Sequence, residues 1–107
     1  MIDLITDNLE AIRELCRTYG VRTLHLFGSA AAGEFDPTRS DIDVIAQWLS
    51  TNDRASNYLG LANGLESLLG YQVDLLTVDF VTNPFLRQSI LQQRVKLYES
   101  EGRQAAA

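Results

Sequence analysis

The order of its segments predicts a small α/β (α+β) fold, a sheet with helices packed against it. Apolar residues recur at helical spacing over 5–19 and 58–69, and short β-branched and leucine-rich runs stand between and after them. The sequence reads helix, strand, loop, strand, helix, strand, helix, with no internal repeat and no linker. A chain of 107 residues, 46% hydrophobic and 21% charged, suits one globular core, expected over 1–98 with a flexible tail over 99–107.

Ile5, Leu9, Ile12, Cys16 and Tyr19 line one face of the first helix; Thr6 or Asp7 is placed to cap it, and Gly20 to end it. VRTLHLF, residues 21–27, reads as a strand closed by Gly28. Small, acidic and turn-forming residues from Ser29 to Ser40 read as a loop. DIDVIAQW, residues 41–48, is a second strand whose alternation sends Asp41 and Asp43 to one face. Asp53 opens a second long helix closed by Gly70, and within it Gly60 and Gly64 suggest close approach to a neighbouring element. VDLLTV, residues 73–78, is a third strand with Asp74 as its one charge. Asn83-Pro84 starts a last helix through about Gln92, and the apolar piece VKLY follows.

Nine basic against fourteen acidic residues leave a net charge of −5, which repels phosphate backbones, so no direct nucleic-acid binding is expected. One cysteine and one histidine exclude an internal disulfide and the usual four-ligand zinc site. No apolar run is long enough to span a bilayer and the first residues lack the pattern of a signal peptide, so a cytoplasmic location without membrane contact is expected. His25 fits a hydrogen-bonded or surface strand position outside the site, and Cys16 a small buried position on the apolar helix stripe. Trp48, Tyr58, Tyr71, Phe80 and Phe85 could mark a partner surface, but core packing explains most aromatics in so short a chain.

Two aspartates on one strand face repel unless something neutralises them, and magnesium, a hard cation held by one or two carboxylates together with substrate phosphates, does so directly. Asp41-x-Asp43 supplies two such ligands, and Asp74 a third if its strand neighbours the second. Taken alone, Asp74 reads equally well as a solvated or arginine-paired residue. Gly28-Ser29 allows a backbone to approach phosphate oxygens closely, although alone it is an ordinary turn.

Taken as a set, "FGSAAAG...SDIDV" followed by "VDLL" resembles the polymerase β-like nucleotidyltransferase superfamily, and most closely its minimal nucleotidyltransferase (MNT) branch. The resemblance implies a small mixed sheet with helices packed against it. It implies that Gly28 and Ser29 hold nucleotide phosphates and that Asp41, Asp43 and Asp74 bind Mg2+ and form the catalytic triad, with ATP as substrate. MNT proteins are often antitoxins beside HEPN-family RNase toxins, and some transfer AMP to a toxin tyrosine. A cognate HEPN toxin is therefore the implied partner.

Two departures stand out. Eleven residues separate Ser29 from Asp41, one more than this branch usually has, and Ala30, Ala31 and Ala32 occupy positions where similar proteins often carry arginines. Arg39 is the candidate to reach the phosphates from the far end of the loop. The alanines motivate an alternative, an antitoxin that neutralises its toxin by binding and occlusion. A small-molecule (antibiotic-type) nucleotidyltransferase is a further alternative, weakened by the lack of a separate acceptor domain.

Overall fold

A computed structural model describes residues 2–100. The elements are α1 (Asp3–Asp7), α2 (Leu9–Thr18), β1 (Val21–Phe27), α3 (Gly28–Ala32), β2 (Ile42–Trp48), α4 (Arg54–Leu69), β3 (Val73–Thr77), a 3-10 turn (Val78–Phe80), α5 (Pro84–Gln93) and β4 (Val95–Glu99). The strands form one sheet in the order β3-β2-β1-β4. β2 and β3 run parallel, joined by the α4 crossover, while β1 is antiparallel to both β2 and β4.

Strand alternation divides the sheet into two unlike faces. Leu24 and Leu26 of β1, Ile42, Val44 and Ala46 of β2, and Val73 and Leu75 of β3 join Ile12 and Cys16 of α2 and Leu61, Leu65 and Leu69 of α4 in the main core. Full burial of each large aliphatic side chain here contributes roughly 1.5–3 kcal/mol. Burial also pushes the Cys16 thiol up to about 12, opposed weakly by Arg17, which keeps it an inert packing residue as expected. The opposite face has a thinner cover: Ile45 packs with Val81 and with Ile90 of α5, beside Phe27, Leu76 and Val78.

Local chemistry corrects several sequence expectations. The first helix is two, because Asn8 adopts φ −113° and ψ 13° and turns its side-chain amide back to donate to the Leu4 carbonyl at 2.8 Å. Asp7 thus ends α1 instead of capping a helix, and the Thr6 hydroxyl donates to the Ile2 carbonyl. Asp53 stands at the N-cap position of α4 with φ 56° and makes no side-chain capping bond. The expected loop after Gly28 opens with the short helix α3, whose alanines favour it and which Gly33 ends at φ 79°. β4 runs through Glu99, so residue 99 belongs to a strand and not to a tail; residues 101–107 lie outside the described residues. Phe80, at the end of the 3-10 turn, and Phe85, in the first turn of α5, are 70% and 85% exposed, and Ile90 is the one buried residue of α5. Asn83 does cap α5, its side-chain oxygen accepting from the Phe85 and Leu86 amides.

The two α4 glycines have the expected reason. A Cβ on Gly60 would overlap the Tyr19 ring, and one on Gly64 would stand 2.8 Å from Leu15 Cδ2. In an exposed helix interior, Gly→Ala gains up to about 1 kcal/mol. Here Gly60→Ala is expected to destabilise by about 1–3 kcal/mol through overpacking, measured by urea unfolding, whereas a net stabilisation would show that α2 and α4 do not pack this closely.

Candidate active site

The strand register brings the acidic residues to one place. Asp43 of β2 pairs with Asp74 of parallel β3 on one side and with Phe27, the last residue of β1, on the other. Directly paired residues of neighbouring strands present their side chains on the same face. Asp41 precedes β2 by one residue and is exposed, as is Asp74, whereas Asp43 is half-buried. This half-burial raises the Asp43 carboxyl above its ordinary 3.8, and the charges of Asp74 and then Asp41 push it further. The three carboxylates therefore share one field, on the sheet face away from α2 and α4. Among the described residues no three acidic, histidine or cysteine groups already stand together as a metal-holding set.

Gly28 explains how Asp43 fits beside the end of β1. Its φ is +71°, and a Cβ would collide with the Asp43 carboxylate, lying 3.2 Å from Cγ. Both the backbone conformation and the close approach demand glycine. Ser29 follows in the first turn of α3, where its carbonyl accepts from the Gly33 and Glu34 amides and its hydroxyl makes no hydrogen bond with the described residues. Gly28, Ser29 and Asp43 thus meet at the junction of β1, α3 and β2.

The other residues singled out from the sequence behave differently. Arg39 donates from Nε to Asp36 Oδ2 at 3.2 Å and its side chain is 84% exposed. Asp36 also accepts from the Thr38 hydroxyl and amide, and these bonds, with Arg39, hold its carboxyl below the usual range. The guanidinium is thereby part of a self-contained turn. Ala30 is fully buried in the main core, Ala31 is half-buried and Ala32 exposed. Packing therefore dictates a small apolar residue at position 30, and no cation arises from α3. His25, expected from the sequence to be a hydrogen-bonded or surface residue outside the site, lies on the same face as Asp43 two residues before Phe27 and lines a cavity under α5. Only the register, unavailable from strand spacing alone, links it to that face.

Carboxylate oxygens are hard ligands, so a divalent cation bound beside Asp43 would neutralise the repulsion that it takes from Asp74 and Asp41.

Comparison with known proteins identifies the family and the fold. The model of the nucleotidyltransferase domain family matches residues 9–97. A Methanocaldococcus jannaschii protein named "Putative protein adenylyltransferase MJ1379" is 41% identical over 73 residues, 67% of this chain and 72% of its own length. A solved structure named "Structure of putative minimal nucleotidyltransferase" superposes with TM-score 0.72 at 29% identity, covering 87% of this chain and 92% of the other. A chain from a toxin-antitoxin crystal structure with AMP-PNP superposes with TM-score 0.70 at 27% identity, covering 92% of this chain and 79% of its own. Gly28-Ser29 opening α3 beside Asp43, a further aspartate in register on the parallel neighbour, and a family match over most of the length lead to one conclusion: the chain belongs to the nucleotidyltransferase domain family.

Proposed function

We propose that this nucleotidyltransferase is an MNT antitoxin that transfers AMP from Mg-ATP to a hydroxyl, a tyrosine by resemblance, of a cognate HEPN toxin and so neutralises it. The observation that carries the reading is the registered Asp43–Asp74 pair with Asp41 alongside, pressed against Gly28. The adenylyltransferase name of the curated relative and the AMP-PNP complex of the structural neighbour support the choice of nucleotide. That neighbour is a toxin-antitoxin structure, which supports a toxin as the acceptor.

In this reading Asp41, Asp43 and Asp74 hold the metal, which when bound supplies charge neutralisation for the carboxylates and the nucleotide phosphates. Gly28 keeps the backbone clear of the Asp43 carboxylate, and the uncommitted Ser29 hydroxyl is available to a phosphate oxygen. The acceptor oxygen attacks the α-phosphorus, the bond to the bridging oxygen breaks, and pyrophosphate leaves. Asp74, exposed on the edge strand β3, accepts the hydroxyl proton. Arg39 can join the phosphates only by leaving Asp36.

The cation-free α3 favours one competing reading, an antitoxin that acts by occlusion alone. Intact-mass measurement of the co-expressed partner after incubation with ATP and magnesium separates the two. The transfer reading expects an increase of one or more AMP units with the wild-type chain and none with Asp41→Asn/Asp43→Asn. A stable, neutralised complex without any mass increase would establish occlusion.

Stability supplies an independent expectation. A carboxyl whose folded pKa lies above its unfolded value loses stabilisation as pH rises from that unfolded value through the folded one. For Asp43 the loss begins near 3.8 and is complete above the raised value, so it is fully present at neutral pH. Asp43→Asn is therefore expected to abolish transfer while leaving thermal stability at pH 7 equal or higher. A markedly lower melting temperature would mean that Asp43 is a structural residue.

A further inference from the structure

Two helices of this chain meet solvent in different ways. On α2 the exposed side carries Glu10, Glu14 and Arg17, and the arginine pairs with both glutamates, at 3.7 and 2.7 Å. That ladder is an ordinary solvated face. On α5, Ile90 is the one buried residue, and Phe85, Leu86 and Leu91 are exposed. Phe85, five residues before Ile90, stands on the far side of the helix with Gln88, Ser89 and Gln92, none of them charged. From Phe80 through Val95 the sequence has no aspartate, glutamate or lysine, and its two charges are Arg87 and Arg94.

Aromatic and apolar side chains with arginine, free of lysine and acids, make up the centre of a protein interface and not a solvated helix. A ten-residue helix is also too short to be stable alone, and helices in proteins depend on the apolar face they bury. α5 buries little against its own sheet and presents the rest outward. Its place joins this surface to the site. α5 packs against α3, the helix of Gly28 and Ser29. Val95, just after α5, pairs with Leu26, and the next residue, Phe27, pairs with Asp43. The chain leaving α5 thus enters the sheet two strand spacings, about 10 Å, from the Asp43 strand, a span that any folded protein covers.

We propose that the exposed side of α5, anchored by Phe85 and Leu91 and flanked by Arg87 and Arg94, is where the partner protein docks, through an apolar patch edged with acidic residues. The proposal rests on the reading of this chain as one that acts on a protein, and adds where that protein is held. Charge selects the occupant. Arg94 has no ion pair or side-chain hydrogen bond among the described residues, and Arg87 donates to the Val81 carbonyl at 3.2 Å, so both guanidiniums keep donors for carboxylates. A second copy of this chain fits poorly, because pairing through α5 about a two-fold axis sets arginines near arginines with no acid in the segment to answer them. The net charge of −5 and the carboxylates on the same sheet face disfavour nucleic acid.

The cognate toxin, produced with the Asp41→Asn/Asp43→Asn chain so that it carries no AMP and then separated, is titrated calorimetrically with the wild type, Phe85→Gln/Leu91→Gln and Arg94→Glu. All three positions are exposed, and a circular dichroism melt checks that the fold is kept. Both variants are expected to bind the toxin at least about tenfold more weakly, with the KM for toxin raised in the transfer assay and the affinity for ATP in magnesium unchanged. Wild-type toxin affinity in both variants overturns the proposal and leaves the transfer reading intact. A dimer of this chain that Phe85→Gln/Leu91→Gln dissociates, without weaker toxin binding, overturns it in favour of self-association. Variants that lose toxin binding, in a chain that transfers no AMP, support the docking surface and remove the transfer reading. A wild-type chain that does not bind the toxin overturns both.

Discussion

The site depends on the parallel pairing of β2 with β3, which sets Asp43 beside Asp74 in direct register. A slip of one residue would turn Asp74 toward the core and bring Val73 or Leu75 to the carboxylate face. The register is held from the other face, where Val44 of β2 and Val73 and Leu75 of β3 are buried against α4, and Tyr58 of that helix donates its hydroxyl to the Leu75 carbonyl at 2.8 Å. The apolar packing of one face thus enforces like-charge contact on the other.

This arrangement divides labour between the two faces. The α2 and α4 side closes tightly, with glycines at 60 and 64 admitting Tyr19 and Leu15. The α5 side keeps polar and charged groups in row after row: Asp43 and Asp74, then His25 and Lys96, then Thr23 and Gln47. A half-buried carboxylate beside two like charges works against folding. The main core carries that cost.

Much of this was legible from residues 26–45 together with Asp74. Gly28-Ser29, Asp41-x-Asp43 and Asp74 were identifiable because glycine, paired acids and a lone strand charge each break the local pattern for a chemical reason. The close approach at Gly60 and Gly64 was legible for the same cause. α3 was not, since a short alanine run after a glycine reads as a turn until Ala30 is seen to pack into the core. The break at Asn8 was hidden because the apolar stripe passes through it without losing phase. The placement of His25 beside Lys96 was invisible because it depends on pairing with β4, whose place beside β1 follows from no local signal.

The central claim is that sheet register forces Asp43 and Asp74 into one electrostatic site. The most direct test is an NMR titration of the Asp43 carboxyl in the wild type and in Asp74→Asn, without metal. The account expects Asp43 to titrate above the ordinary aspartate value and to move down when Asp74 loses its charge. An Asp43 carboxyl that titrates normally, or that ignores Asp74→Asn, would contradict it.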